Sequence, residues 1–219
     1  RYRTYKKVYP KITETLTQPY ETDGFDTRSI HLGLYSETGN TKKLTGYCRL
    51  ILPEAYQNLY SEYMIKSHYL YPSDFLKQSL DRMYFLKLTP SAHQKTVNSY
   101  CRNLEETGKI YAETSRFIIE EAHRNLSLSA FFAQSMFAIA ESLNMDYNFF
   151  SCNIHHSVFY KKYGLTPFEP APNYQNDLFE REDAIFGTQL NITNTSQAFI
   201  KILRLQLEEE QQTTFRRAA

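Results

Sequence analysis

The sequence predicts a mixed α/β domain, a central twisted sheet of mixed strand direction with helices on both faces. Three observations predict it. Strand-like runs rich in β-branched and aromatic residues recur at 29–52, 111–120 and 147–154. Segments with helical spacing of apolar residues separate them, at 89–108 and 126–144. The resulting order is hairpin, helical insertion, strand, helix, strand, helix, strand, which suits a sheet covered on two sides.

The stretch "SIHLGLYSETGNTKKLTGYCRLIL" reads as a hairpin: Ile30, Leu32 and Leu34 alternate with His31, Gly33 and Tyr35, and Gly39-Asn40 supplies the turn. The strand ends at Pro53. Residues 54–88 mix helical spacing with aromatic runs and predict short helices broken near Pro72. In 89–108, Thr89 is a helix cap and Pro90 the first helical residue. Val97, Tyr100, Cys101 and Leu104 form one stripe, and Gly108 ends the helix.

"YAETSRFIIE" follows as a strand. Then Ser127 or Ser129 caps a helix whose stripe is Leu128, Phe131, Phe132, Ser135, Met136, Ile139 and Leu143. "YNFFSCNI" is a strand and "HHSVFYKKYG" a short helix ended by Gly164. A last strand begins near Thr166, where the prolines of "PFEPAP" suggest a sheet edge. Residues 1–195 are expected to form one domain, with 53–109 as a helical insertion, and 196–219 a C-terminal helical tail.

Composition narrows the function classes. The chain has 219 residues, with 25 basic and 24 acidic side chains and a net charge of +1, so it carries no overall basic field for nucleic acid. It has 18 Tyr and 15 Phe, enough rings for an aromatic core or an apolar pocket. No apolar run approaches the ~18 residues of a membrane span. Cys48, Cys101 and Cys152 are odd in number and widely spaced, neither a disulfide framework nor a zinc pattern. With no secretory n- and h-region, a cytoplasmic protein with reduced thiols is expected. Asn125, Asn191 and Asn194 head glycosylation-type triplets, read as chance in that setting. The chain opens on Arg1 rather than Met, as a fragment would.

The charges inside the strand-like segments are the informative feature. Asp23, Asp26, Arg28, Arg49, Glu113 and Arg116 all sit in or beside apolar β-segments. One buried charge is costly; three acids and three bases can neutralise one another. They form either a structural ion-pair network or a network that partly faces a reaction centre. Strict alternation puts Glu113 and Arg116 on opposite faces of their strand, and a bulge between them would change that.

"ETDGFDTRSIHL", "GYCRLILP" and "ETSRFII", in this order, resemble motifs of acyl-homoserine-lactone autoinducer synthases. They resemble still more those of the related N-acyl amino acid synthases and exosortase-associated acyltransferases. The spacing Asp23, Asp26, Ser29, His31 favours the second group, as do the long stretch between Pro53 and Glu113 and the opening "RYRTYKKVY". "NIHHSVFYKKYGL" is similar to a second acyltransferase pattern through Asn153, His156, Phe159, Tyr160, Lys162, Gly164 and Leu165. Here His replaces that pattern's Ala, and Leu its final Phe. Both groups belong to the GCN5-related N-acyltransferase superfamily, and the resemblance spans about residues 1 to 168.

The resemblance implies that fold, and acyl transfer from a thioester to the amine of an amino acid or similar small amine, with no permanently bound cofactor. The thioester arm would enter between the strands at 111–119 and 147–154. Glu113 would accept the amine's proton, or alternatively pair with Arg49 or Arg116. Tyr160 would protonate the leaving thiolate, or be a core tyrosine. Backbone N–H groups near Phe117, Ile118 and Ile119 would contact the thioester carbonyl. Arg49 and Arg116 would orient the loop bearing Asp23 and Asp26 or bind an acceptor carboxylate. A guanidinium stays charged and so cannot serve as a base. Phe131, Phe132, Met136 and Phe149 are candidates for the acyl pocket, or else core residues.

The loop "EEAHRNLS" lacks the glycine that coenzyme A-dependent relatives place at the pyrophosphate. A donor with a single phosphate, the phosphopantetheine arm of acyl carrier protein, asks less of that loop, and coenzyme A stays open as the other donor. His123 and Arg124 would meet the acidic carrier, or be ordinary solvated charges. His155 and His156 lack a third ligand, so no metal is assigned. Two other readings stand beside this one: an autoinducer synthase releasing a lactone from S-adenosylmethionine, and a non-catalytic module that binds acyl chains or carriers.

Overall fold

A computed structural model describes residues 23–53, 82–162 and 164–190. The Arg- and Tyr-rich opening, the helices expected near Pro72 and the C-terminal tail lie outside the described residues.

Among the described residues the six strands are β1 (Ser29–Thr38), β2 (Thr41–Ile51), β3 (Tyr111–Ile119), β4 (Tyr147–Asn153), β5 (Asn173–Asn176) and β6 (Arg181–Gln189). They form one mixed sheet in the order β1-β2-β3-β4-β6-β5, parallel only between β3 and β4. The α-helices among the described residues are α1 (Ser91–Glu106), α2 (Leu126–Ser142) and α3 (Ser157–Lys162).

The hairpin is as the alternation predicts, with Gly39 at φ +58 in the turn. The helix caps are shifted. Pro90 holds the N-cap position of α1 with no side-chain capping bond, and the Thr89 hydroxyl donates instead to the Leu86 carbonyl at 3.1 Å. Asn125 caps α2, its side chain accepting from Leu128 N at 2.8 Å, so neither Ser127 nor Ser129 is needed.

No strand starts near Thr166. Pro167, Pro170 and Pro172 lack the N–H groups a continuous ladder requires, so this stretch runs beside β6 on scattered bonds such as Phe168 N to Ile185 O. The edge strand is β5, after the prolines, and β6 inserts between β5 and β4.

Alternation divides the sheet residues between two cores. Leu50, Ala112, Phe150 and Phe186 pack with α2 residues such as Phe132 and Met136. Tyr111, Phe149 and Ile185 pack with Val97, Cys101 and Leu104 of α1 and with Met83, Phe85 and Leu86. Phe131 is half exposed, off the apolar stripe of α2.

Two irregularities prepare a site. The β3–β4 ladder runs only through Tyr111↔Tyr147, Ala112↔Asn148 and Glu113↔Phe149. Beyond it β3 continues with β2 and β4 continues with β6, so the central strands part. The second is a bulge: Arg49 opposes Ser115 and Tyr47 opposes Ile118, so Cys48 faces both Arg116 and Phe117. Arg116 takes φ +58 there, a conformation unfavourable for a residue with a Cβ.

Candidate active site

The charged residues gather on the α1 face of the sheet. The register pairs Ile51 with Glu113 and Arg49 with Ser115, so Arg49, Glu113 and Ser115 project to one side. The bulge turns Arg116 to that side as well. A 3-10 turn, Gly24–Arg28, then lays its acidic start over them. Asp23 caps it by accepting from Phe25 N at 3.0 Å, while Asp26 accepts from Asp23 N at 2.9 Å, a reciprocal capping box.

Arg49 is fully buried. Its Nη1 lies 2.6 Å from Asp23 Oδ1 and 2.8 Å from Asp26 Oδ1, and its Nη2 lies 2.9 Å from Asp23 Oδ2. Its Nε donates to Ser115 Oγ at 2.8 Å. Arg116 Nη2 reaches Asp23 Oδ2 at 3.0 Å. Asp23 is thus shared by two guanidiniums. The Tyr84 ring lies 3.9 Å from the Arg116 guanidinium and 5.3 Å from that of Arg49, adding a cation–π cover. Arg28 belongs to the same wall: its Nη2 donates to the Arg82 carbonyl at 3.1 Å, and its guanidinium lies over Phe25.

Glu113 is buried and accepts from the backbone N–H of Tyr84 at 2.5 Å and from that of Phe85. Burial pushes its carboxyl up to about 8, against the pull of Arg49, the two backbone donors and Arg116. Glu113 therefore anchors the chain at Tyr84–Phe85 and is not gripped by either guanidinium. No feature of the run "MYFLKL" marks Tyr84 as part of this site.

His31 bonds the Tyr47 hydroxyl at 2.6 Å and the Asp26 carbonyl at 3.0 Å, fixing the hairpin to the 3-10 turn.

On the α2 face, the Tyr160 ring packs on Phe150 at 4.7 Å and Phe186 at 5.7 Å. Burial holds its phenol well above the usual tyrosine range, with Cys152 of β4 and Cys48 of β2 pushing the same way. The phenol therefore stays protonated and can donate. Phe117 and Ile119 also face α2, Phe117 packing on Phe132 at 5.3 Å. Ile118, paired with Tyr47, faces α1.

The three phenylalanines expected to line one acyl pocket do not converge. Phe132 belongs to the α2 core and Phe149 to the α1 core, with the sheet between them, and Phe131 is half exposed. Phe149 is enclosed by the rings of Tyr100, Tyr111, Tyr147 and Phe168.

The loop between β3 and α2 carries His123 and Arg124. His123 Nε2 lies 3.8 Å from Glu120 Oε2, and Arg124 Nη2 donates to the Ile119 carbonyl at 3.1 Å. Burial, with Arg181, Arg124 and His155 nearby, holds His156 below the usual imidazole value. Among the described residues, no three His, Cys, Asp or Glu side chains cluster as a metal site would. No described helix is long and apolar enough to cross a membrane.

No protein-family profile matches the chain, and no curated protein sequence matches it. Solved structures share its fold. One is FeeM, an N-acyl amino acid synthase from uncultured soil microbes, with a TM-score of 0.54 at 15% identity over 87% of this chain and 88% of that one. Another is BjaI, a coenzyme A-dependent acyl-homoserine lactone synthase solved with MTA. It gives a TM-score of 0.52 at 11% identity over 94% of this chain and 78% of its own. The fold is therefore GCN5-related N-acyltransferase-like, as the motifs imply.

Proposed function

We propose that this protein is an N-acyltransferase. It moves a long-chain acyl group from the thioester of a phosphopantetheine arm to the amine of an amino acid or similar small amine. The observation that carries this reading is the parting of β3 and β4 beyond Glu113↔Phe149. A buried carboxyl lies on one face of that opening, and a protonated tyrosine, Tyr160, lies on the other.

The thioester arm enters between the two strands. Glu113 takes a proton from the amine, directly or through water. The freed nitrogen attacks the thioester carbonyl carbon, whose oxygen is polarised by backbone N–H groups near Phe117, Ile118 and Ile119. The C–S bond breaks, Tyr160 gives its proton to the departing sulfur, and the surplus proton on the attacking nitrogen passes back to restore the tyrosine as the amide forms. Arg49 and Arg116 take no proton. They hold Asp23 and Asp26, and so the wall on which the acceptor rests. Phe132 with Phe117 offers apolar surface for the acyl chain on the α2 face. The glycine-free loop with His123 and Arg124 suits a carrier protein's arm, while the likeness to BjaI supports a coenzyme A thioester.

The same likeness favours a second reading, lactone synthesis from S-adenosylmethionine. One experiment separates them. Lipid extracts of cells expressing the wild type and an Arg116→Ala control are compared by mass spectrometry. Purified protein is also given palmitoyl-coenzyme A or palmitoyl carrier protein, with either mixed amino acids or S-adenosylmethionine. N-acyl amino acids that depend on Arg116 are expected. A lactone made only with S-adenosylmethionine supports the second reading. Absence of any acylated product overturns both.

A further inference from the structure

A second polar chain lies on the α1 face, on the opposite bank of the opening. Ser151 Oγ is 2.9 Å from the Tyr174 hydroxyl, which is 3.5 Å from Asp183 Oδ2. Asp183 is buried, and its other bonds come from Asn176 Nδ2 at 2.7 Å and Arg181 Nε at 2.7 Å. Tyr174 and Asn176 are also buried, whereas Ser151 is only half-buried. The chain is therefore closed at the carboxylate end and open at the serine end.

Register places that open end. Tyr174 opposes Asp183, and Ser151 opposes Ile185, which packs beneath α1. Ser151 is two residues past Phe149, the last residue of β4 paired with β3. It borders the opening from β4 on the same face that Glu113 borders from β3. Glu113 also pushes up the Tyr174 phenol, which burial already holds well above its usual range.

The direction of the bonds follows from their terminus. Asp183, paired with Arg181, offers only acceptor oxygens to Tyr174. The phenol must therefore turn its hydrogen toward Asp183, since the reverse would set oxygen lone pairs against each other. Tyr174 then accepts from Ser151, and the serine hydrogen is used. What Ser151 presents to the opening is a lone pair, which fits an N–H donor.

We propose that Ser151 recognises the N–H of the amine substrate, and that Tyr174 and Asp183 are positioning residues that turn its lone pair toward it. This rests on the N-acyltransferase reading and specifies its acceptor side. Ser151→Ala should raise the KM for the amine about tenfold and leave the KM for palmitoyl-coenzyme A unchanged. Tyr174→Phe should do the same, and the double variant should be no worse than either alone. Asp183→Asn can reverse the chain and should give the same split. Should that buried change impair folding, the Ser151 and Tyr174 variants still decide the matter.

Calorimetric titration with a panel of amino acids and simple primary amines provides a readout independent of turnover. The wild type should bind an amine that Ser151→Ala binds about tenfold more weakly. Equal shifts in both KM values, or amine binding unaffected by Ser151→Ala, would overturn the assignment while leaving acyl transfer standing. Ser151-dependent amine binding without acyl transfer would overturn the catalytic reading and keep this one. A wild type that binds no amine and acylates none overturns both.

Discussion

Arg49 and Asp23 meet through two parallel hydrogen bonds, Nη1 to Oδ1 at 2.6 Å and Nη2 to Oδ2 at 2.9 Å, with the guanidinium fully buried. This bidentate pair fastens the 3-10 turn to the middle of β2. Asp23→Asn leaves the buried Arg49 with Asp26 as its remaining carboxylate and takes from Arg116 its charge partner on Asp23. It should therefore destabilise the protein by about 3 kcal/mol, read from the midpoint of urea unfolding.

Arg116 combines a needed side chain with an unfavourable backbone, φ +58 in the bulge. Both Arg116→Ala and Arg116→Gly lose the bond to Asp23, but glycine also relieves the backbone. The glycine variant should be more stable than the alanine variant by about 1 kcal/mol. Equal unfolding midpoints would mean that the bulge is not strained.

Glu113 titrates upward on folding, from 4.5 to about 8. The folded state thus holds a proton that the unfolded state releases. Stability should fall as pH rises from about 4.5 to about 8 and level off above. Glu113→Gln should flatten that part of the profile, measured by denaturant unfolding at a series of pH values.

If Glu113 is the base, acyl transfer should run the other way, rising with pH toward a plateau above about 8. The Gln variant should lose about 10²–10⁴-fold in kcat. Full activity in that variant would transfer the role elsewhere.

Tyr160 is held protonated by its surroundings. Tyr160→Phe keeps the ring contacts with Phe150 and Phe186 and removes only the hydroxyl. kcat should drop by about 10²-fold with little change in unfolding midpoint, since the hydroxyl acts only when the thiolate departs. Equal losses in stability and rate would instead mark a packing residue.

The hairpin, the two longer helices, the two central strands and the unusual charges were all legible in the sequence, because each rests on local periodicity or composition. The helix caps were misread because Thr89 bonds the Leu86 carbonyl instead of capping α1, and Asn125 takes the α2 cap ahead of the two serines. β6 was missed because Glu182 and Asp183 interrupt its apolar pattern, and their partners, Asn173 and Asn176, come from the preceding strand.

By itself the sequence determined that acids and bases stand inside apolar strands, and that their order matches acyltransferase motifs. Only the tertiary structure decided which of them share a face. A side chain's face depends on the parity of its position, and one extra residue in β3 reverses that parity between Glu113 and Arg116. The bulge exists in the pairing of β3 with β2, so neither strand alone contains it. Phe132 and Phe149 were separated for the same reason: similar rings read as one pocket until the sheet is placed between them.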